Sequence, residues 1–251
     1  MRVLINGEGC YALRKSDSGW FLSRVKSTIK RFKMIEEGDT VVAGLSGGKD
    51  SSALLYILKI FQKHAPFNFS LHALHVDLGW GVDTHPLYRL AERLEVPLHV
   101  EQTLISTIVF ERRKEKNPCA LCANLRRGAF NQAALRLGAN KVALGHHLDD
   151  AVETFFMNLI IAGQMDTFKP AIFLERTGLT QIRPLVELTE ETLDSLAQRE
   201  KFPILENPCP VKDKTRRREM AELIENLATQ YPDFRHKCRT ALLNSPFWNS
   251  D

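Results

Sequence analysis

The segment that decides the fold is DTVVAGLSGGKDSSALLYILKI, which runs from Asp39 to Ile60. It begins as a short apolar run typical of a buried β-strand, and from Ser52 onward apolar residues recur at helical spacing. Between them lies Ser46–Ser51, where glycines let the backbone approach an anion and the unpaired N–H groups of the helix start point outward. A bare phosphate site has little use for Asp50, whereas a nucleotide phosphate that carries Mg²⁺ needs oxygen ligands. An ordinary Gly-Gly turn, the alternative, explains the glycines but not the rest of the hexapeptide.

Four more apolar segments follow along the chain and alternate with helical patterns; the last of these predicted strands is TQIRPLV, residues 180–186. The alternation predicts an α/β fold, with a parallel five-stranded sheet and helices on both faces. In such sheets, ligands bind beyond the carboxyl ends of the strands. Polar clusters follow three predicted strands, at Ser46–Ser52, His75–Asp77 and Gly145–Asp150. We therefore expect a ligand site at this edge of the sheet.

The size and charge of the chain suit one globular domain with small additions. It has 251 residues, 44% of them hydrophobic and 25% charged, and a net charge of +4. We predict an N-terminal extension (1–20), a main α/β domain (21–205) and a C-terminal segment with a basic helix (206–251). The mild basicity is only weak evidence for a polyanionic partner. No apolar run approaches the ~20 residues of a membrane helix, and no signal peptide is visible, so we expect a cytoplasmic protein without a membrane partner.

The third polar cluster lies within GHHLDDAVET, where two histidines precede two aspartates at a predicted helix start. One interpretation is that the two aspartates only stabilise the helix start through the helix dipole. Adjacent histidines on an extended segment point in opposite directions, which does not suit a metal pair. We favour a nucleotide site, with His146 or His147 near the phosphates and Asp149 or Asp150 on the metal or an attacking group. Arg183 is either a phosphate contact or an arginine at the edge of the core.

Five cysteines occur, and only Cys119 and Cys122 are close in sequence, as a C-x-x-C motif at a predicted helix start. A long basic loop precedes the motif, instead of the strand that a thioredoxin-like redox pair needs. A structural zinc site needs four ligands, and a second C-x-x-C is absent. The third interpretation is an iron–sulfur cluster held by three cysteines with one iron left open. Cys209, within NPCPVK, is then the candidate third ligand.

The hexapeptide Ser46–Ser51 resembles the SGGxDS signature of the PP-loop ATP pyrophosphatases. Three longer stretches, FKMIEEGDTVVAGLSGGKDS, CALCANLRRGAFNQAALRLGANKVALGHHLDD and FPILENPC, resemble the tRNA 2-thiocytidine synthetase family, as does IRPL. The similarity spans residues 32–209. It implies a PP-loop domain that binds ATP and Mg²⁺, a [4Fe–4S] cluster, a tRNA substrate, a separate sulfur donor (a cysteine desulfurase or free sulfide) and a homodimer.

The resemblance also implies roles for particular residues. The catalytic residues are Lys49, Asp50 and Asp150. The nucleotide contacts are Ser46, Gly47, Gly48, Lys49, Asp50, Ser51, Asp77, Gly145 and His146. The cluster ligands are Cys119, Cys122 and Cys209. In the family a second cysteine follows the third ligand in a P-C-N-L-C motif, whereas Pro-Val-Lys follows Cys209 here.

The function implied is adenylation of the C2 oxygen of a cytidine in the tRNA anticodon loop, followed by its replacement with sulfur. Basic runs at 112–114, 126–127 and 212–218 are candidates for binding the RNA backbone. Trp80 stacks on a base or packs in the core. Alternatives are thiolation of a uridine or a small molecule, amine addition by a lysidine-type synthetase, which would not need cysteines, and a non-catalytic iron–sulfur or zinc regulator.

Overall fold

The computed structural model describes residues 18–114, 117–211 and 216–249, and their centre is a single six-stranded sheet. The strands are β1 Thr40–Gly44, β2 Ser70–Asp77, β3 Leu98–Gln102, β4 Lys141–Ala143, β5 Ala171–Leu174 and β6 Leu179–Ile182. Their order across the sheet is β3-β2-β1-β4-β6-β5, and only β5 runs antiparallel to its neighbour. The predicted α/β class is confirmed.

The expected strand count of five was wrong, because the sheet has a sixth strand at its edge. Strand β5 has four residues, and Phe173 within it is 60% exposed. Such a short, half-exposed edge strand lacks the long apolar run that marks a buried parallel strand. The predicted strand 180–186 also stops at Ile182, and the N–H of Arg183 then donates to the carbonyl of Pro170.

Helices cover both faces of the sheet. They are α1 Ser23–Arg31, α2 Lys49–His64, α3 His85–Arg93, α4 Pro118–Arg136, α5 Leu148–Met157 and α6 Glu190–Glu200. Three π-helical segments, Ser18–Leu22, Thr107–Arg113 and Asn158–Ala162, lie between or beside them. Helix α2 is buried along most of its length because it packs between the sheet and α6. The loop Leu45–Gly48 that precedes α2 is therefore anchored at both ends by core elements.

The C-terminal segment forms three helices where one was expected: α7 Arg216–Gln230, α8 Phe234–Leu243 and α9 Pro246–Asn249. They share an apolar cluster with α5, to which α5 contributes Val152 and the three helices contribute Ile224, Leu242 and Trp248. Residues 1–17 of the expected extension, with Cys10, and Lys212–Thr215 of the third basic run lie outside the described residues. Within the part of the chain that is described, no helix combines the length and apolar character needed to cross a membrane.

The strand order explains why distant motifs meet. From β1 the chain adds β2 and then β3 on one side, and it later places β4 on the other side of β1. A sheet whose order reverses in this way opens a crevice at the carboxyl ends of the two strands on either side of the reversal. The loop Leu45–Gly48 follows β1 and Leu144–His147 follows β4, so both lie at this crevice.

Candidate active site

A cavity of about 710 Å³ lies at the carboxyl ends of β1, β2 and β4. It collects nine of the ten residues to which the sequence analysis gave nucleotide or catalytic roles other than cluster binding. These are Ser46, Gly47, Gly48, Asp50, Ser51, Asp77, Gly145, His146 and Asp150. The tenth, Lys49, is not among the lining residues. The fold thus brings these nine residues together around one cavity, whereas their individual roles stay predictions.

The loop at the start of α2 is held by hydrogen bonds within itself. The backbone N–H of Ser46 (3.1 Å) and its hydroxyl (3.1 Å) donate to Oγ of Ser51, which donates in turn to the carbonyl of Gly48 (2.9 Å). Ser52 donates to the same carbonyl. Because these serines are bound to the loop, the chain itself sets the loop shape before any ligand arrives.

A segment that the sequence analysis did not assign to the nucleotide site docks on this loop. Gly47 has a φ of +90°, which favours glycine, and its carbonyl accepts the N–H of Leu205 at 2.8 Å. A Cβ on Gly47 would lie 2.9 Å from the Leu205 side chain. The residues that follow, Glu206, Asn207 and Pro208, line the cavity. The segment that carries Cys209 is thereby fixed beside the loop.

Gly145 brings the third polar cluster, Gly145–Asp150, against the first turn of α2. A Cβ at this position would lie 3.0 Å from the backbone carbonyl oxygen of Asp50 and 3.2 Å from the nitrogen of Ser51. Both neighbours are backbone atoms of a packed helix and cannot move aside cheaply. Glycine is required here for close approach, in addition to the nucleotide contact that was expected.

Lys49 faces α6 rather than the cavity. Its ammonium lies 2.7 Å from a carboxylate oxygen of Glu190 and 2.6 Å from one of Asp194. Burial opposes its charge, but the hydrogen bonds to Asp194 and Glu190 outweigh burial and raise the pKa of Lys49 above its usual value. A phosphate contact by Lys49 requires exchange of these partners.

Asp50 is the carboxylate best placed for a cation. Its Oδ1 is buried and has no hydrogen-bond partner among the described residues. Burial raises the pKa of Asp50, since the carboxylate has lost solvent without gaining a donor. The ammonium of Lys49 lies 3.8 Å from this oxygen, close enough for an ion pair but too far for a hydrogen bond. A buried carboxylate oxygen without a hydrogen-bond donor beside this loop fits Mg²⁺, which prefers carboxylate and phosphate oxygens.

The acidic pair after β4 depends on groups from elsewhere in the chain. Asp150 accepts the N–H of His147 (3.0 Å) at one oxygen and Nη1 of Arg217 (2.8 Å) at the other. Asp149 accepts Nε of Arg235 (2.7 Å) and the N–H of Glu190 (2.7 Å). Arg217 and Arg235 lie on α7 and α8. Arg217, which belongs to a basic run expected to bind the RNA backbone, is thus paired with Asp150 instead.

The two histidines of this cluster differ in charge. Burial opposes a proton on His147, but the carboxylates of Asp149 and Asp150, 3.7 and 3.5 Å from its ring nitrogens, raise its pKa to about 9. Burial and then the charge of Arg183 lower the pKa of His146 to about 4. At neutral pH His147 is therefore a cation inside the acidic cluster, and His146 is a neutral ring at the cavity.

Arg183 lines the cavity beside His146. The guanidinium of Arg183 and the ring of His146 both pack on the ring of Phe168. The guanidinium carbon of Arg183 lies 4.6 Å from the centroid of the Phe168 ring, and the His146 centroid lies 5.3 Å away. Burial lowers the pKa of Arg183 to about 10, so it stays charged at neutral pH. Two nitrogen atoms, Nε of Arg183 and Nδ1 of His146, are buried without hydrogen-bond partners among the described residues. This favours an anionic ligand at this end of the cavity.

The three candidate cluster cysteines come from two segments that border the same cavity. Cys119 and Cys122 lie in the first turns of α4, and Ala123 and Pro208, next to Cys122 and Cys209, line the cavity. Burial raises the pKa of the Cys122 thiol; Arg126 lowers it, and the nearby Cys209 and Cys119 raise it further. The three thiols are thus electrostatic neighbours. Among the described residues, however, no three His, Cys, Asp or Glu side chains are arranged to hold a metal ion. The donor set, three thiolates, fits an iron–sulfur cluster, and ligation requires the three thiols to move closer together.

The fold and the serine-glycine loop at its strand reversal define an α/β protein of the PP-loop class. The family model described as "PP-loop domain" matches residues 21–227. A tRNA-cytidine(32) 2-sulfurtransferase of Shewanella sp. (strain W3-18-1) is 37% identical over 226 residues, which cover 88% of this chain and 72% of that one. The enzyme of the same name from Pelobacter propionicus is 36% identical and covers 88% and 83% of the two chains.

The chain belongs to the PP-loop family of the tRNA-cytidine(32) 2-sulfurtransferases. The fold agrees with that of a solved structure, the U34-tRNA thiolase NcsA from Methanococcus maripaludis with its [4Fe–4S] cluster. The two match with a TM-score of 0.71 at 22% identity, over 88% of this chain and 77% of that chain. At this identity the likeness concerns the fold.

Proposed function

We propose that this protein is an ATP-dependent tRNA sulfurtransferase, which replaces the C2 oxygen of a cytidine in the anticodon loop with sulfur. One observation carries the proposal. The loop Ser46–Ser51 and the two cysteine-bearing segments border a single cavity, because Leu205 is bound to the Gly47 carbonyl. Activation of an oxygen by ATP and delivery of sulfur need to occur at the same carbon, and this cavity offers a place for both.

The loop binds the phosphates of ATP in this proposal. Backbone N–H groups at the start of α2 and the charge of Arg183 attract the phosphates, and Asp50 would hold Mg²⁺ with the oxygen that has no hydrogen-bond donor. The C2 oxygen of the base attacks the α-phosphorus, the bond between the α- and β-phosphates breaks, and pyrophosphate leaves. The loop and Lys49, once released from its carboxylate partners, stabilise the charge that builds on pyrophosphate. Bound Mg²⁺ would add charge stabilisation as a Lewis acid.

In the second half of the reaction, a C2–S bond forms and the C2–O bond breaks, so that AMP leaves with the oxygen. Cys119, Cys122 and Cys209 would hold the cluster, which would supply an iron able to bind the sulfur that is transferred. The sulfur itself comes from a donor, a cysteine desulfurase or free sulfide. Arg126 and Arg127 at the cavity, and exposed Arg112, neutralise RNA phosphates. We place the enzyme in the cytoplasm and expect a homodimer.

The test is thiolation of a defined RNA. Anaerobically purified protein is incubated with ATP, Mg²⁺, sulfide and a transcribed tRNA, and the nucleosides are analysed by mass spectrometry. We expect 2-thiocytidine, with one AMP and one pyrophosphate released per sulfur. The appearance of 2-thiouridine alone would shift the proposal to a uridine thiolase, and pyrophosphate release without any thiolated nucleoside would refute it.

The cysteines are tested separately. We expect loss of thiolation and of bound iron in each of Cys119→Ser, Cys122→Ser and Cys209→Ser, because the two thiolates that remain cannot hold a cluster that needs three. Cys238→Ser is the matched control, since Cys238 is half-buried like Cys122 and Cys209 but packs among the C-terminal helices. Full activity of Cys209→Ser would contradict the ligand set.

A further inference from the structure

The loop after β2 is fixed by the end of β3. The hydroxyl of Thr103 donates to the carbonyl of Asp77 (2.7 Å), and the N–H of Ser106 donates to the carbonyl of Leu78 (2.8 Å). The Asp77 carboxylate accepts the N–H of Gly79 at 2.8 Å. Asp77, expected as a nucleotide contact, therefore also shapes this turn. The residue that the turn presents is Trp80.

Trp80 is not a core residue. Of the three tryptophans, Trp248 is 4% exposed within the C-terminal apolar cluster and Trp20 packs on the main cluster. Trp80 is half-buried and belongs to none of the three apolar clusters that the described residues form. Its indole lines the cavity instead. Core packing, one of the two roles considered for it, does not explain its position.

The indole is held in place from one side. The ring of Phe110 lies 5.4 Å away, centroid to centroid, at an interplanar angle of 50°. Phe110 belongs to the π-helical segment Thr107–Arg113, which is anchored by fully buried Val109. An aromatic ring that is oriented in advance loses little freedom when a flat ligand stacks on it.

Basic side chains occur next to Phe110 in sequence and along the same cavity. Arg112 and Lys114, both exposed, follow Phe110 closely, and exposed Arg126 and Arg127 line the same cavity. Aromatic rings beside a positively charged path are the usual platform for unpaired nucleotides, because the charges hold the backbone and each base offers a π-face. The combination favours an RNA base over an isolated apolar ligand.

We propose that Trp80 is the stacking platform for the pyrimidine that is turned out of the RNA loop into the cavity. This inference rests on the proposed function and names a substrate-binding residue for it. Stacking on Trp80 compensates for the stacking that the base loses on leaving its loop. The base would then be held between the phosphate loop and the cysteine segments.

The kinetic test compares Trp80→Ala, Trp80→Phe and Tyr88→Ala. Tyr88 is an exposed aromatic residue of α3 and serves as the control. We expect kcat/KM for the RNA to fall on the order of tenfold or more in Trp80→Ala, to fall little in Trp80→Phe, and to stay unchanged in Tyr88→Ala. The KM for ATP should not change. A rise in the KM for ATP with unchanged RNA kinetics would mean that the ring stacks on adenine, and it would overturn the inference.

A binding test works without turnover. Replacement of Trp20 and Trp248 by Phe leaves Trp80 as the only tryptophan. An anticodon stem-loop with the target cytidine should quench its fluorescence, whereas the same RNA with an abasic site at that position should bind with little quenching. A non-hydrolysable ATP analogue alone should leave the signal unchanged. Equal quenching by both RNAs would overturn the inference. If the double replacement does not fold, the difference in quenching between the native protein and Trp80→Phe gives the same information.

The two proposals fail in different ways. If the native protein thiolates cytidine while Trp80→Ala is fully active and Trp80 does not respond to the base, only the stacking role is wrong. If the native protein makes no thiolated nucleoside but Trp80 still reports the base, the sulfurtransferase proposal is wrong and the base-binding site stands.

Discussion

The two polar clusters on either side of the strand reversal are built differently. The loop Ser46–Ser51 is closed by hydrogen bonds among its own residues. The acidic cluster around Asp149 and Asp150 is completed by Arg235 and Arg217, which are 86 and 67 residues away in sequence. The first is a local structure, and the second exists only when the C-terminal helices pack on α5. We infer that the loop carries the binding chemistry and that the acidic cluster couples it to the C-terminal helices.

The largest effect is expected from Asp50→Asn, which removes a charge from the local cluster. If Asp50 holds Mg²⁺, kcat/KM falls on the order of 10²-fold or more, because several kcal/mol of charge stabilisation are lost. Stability should not fall at neutral pH and should rise slightly, since burial raises the pKa of Asp50 and makes its charge unfavourable there. Pyrophosphate release and urea unfolding measure the two effects.

Glu92→Gln, an exposed carboxylate on α3, is the control for Asp50→Asn. An Asp50→Asn protein that is both less stable and fully active would contradict the role given to this residue.

The second effect tests the contact between the two clusters. Gly145→Ala places a methyl group 3.0 Å from the backbone of Asp50, so we expect a loss of about 1–3 kcal/mol in stability and roughly tenfold to a hundredfold in kcat/KM. Gly128→Ala is the matched control, because that Cβ meets no atom within 4 Å in the middle of α4. It should stabilise the protein by about 0.5–1 kcal/mol. If the two variants had the same stability and activity, the close approach of Gly145 to the backbone of Asp50 would have no importance.

Arg217→Ala breaks the distant cluster alone. Asp150 keeps its hydrogen bond from the N–H of His147 and loses the one from Arg217. Because Arg217 is 45% exposed, the stability change should stay below about 1 kcal/mol, and activity should fall roughly fivefold through misplacement of Asp150. Steady-state kinetics at several Mg²⁺ concentrations measure this loss.

Arg218→Ala is the control for charge, since the pair that Arg218 forms with Glu222 is exposed on both sides. If Arg217→Ala and Arg218→Ala weaken RNA binding equally and leave Mg²⁺ dependence alone, Arg217 is only a surface cation.

The last prediction is a pH dependence of stability. The carboxylates around His147 raise its pKa to about 9 in the folded protein, above the ordinary value near ~6.5 of an unfolded chain. The contribution of protonated His147 to stability is therefore complete below about pH 6.5 and is lost as pH rises through about 9. His147→Gln should remove this decline in urea unfolding measured between these values. His236→Gln, an exposed histidine, should retain it; a decline that persists in His147→Gln would exclude His147 as its source.

The sequence determined the fold class and the phosphate loop, because both follow from local patterns. Apolar strands that alternate with helices specify a parallel sheet, and the loop Ser46–Ser51 supplies its own hydrogen bonds. Strand β5 was not predicted because four half-exposed residues give no periodic signal. Two of the three C-terminal helices were not predicted because the sequence before them is irregular and shows no clear helical period.

Only the tertiary structure decided which charges meet. The sequence does not indicate that Lys49 binds Glu190 and Asp194, or that Arg217 reaches Asp150, since these contacts depend on how helices pack across the sheet. Nor does it place Leu205 on Gly47, the contact that brings the segment of Cys209 to the cavity. Short-range hydrogen bonding and periodicity can be read from neighbouring residues, whereas ion pairs over many residues are fixed by the packing of the core.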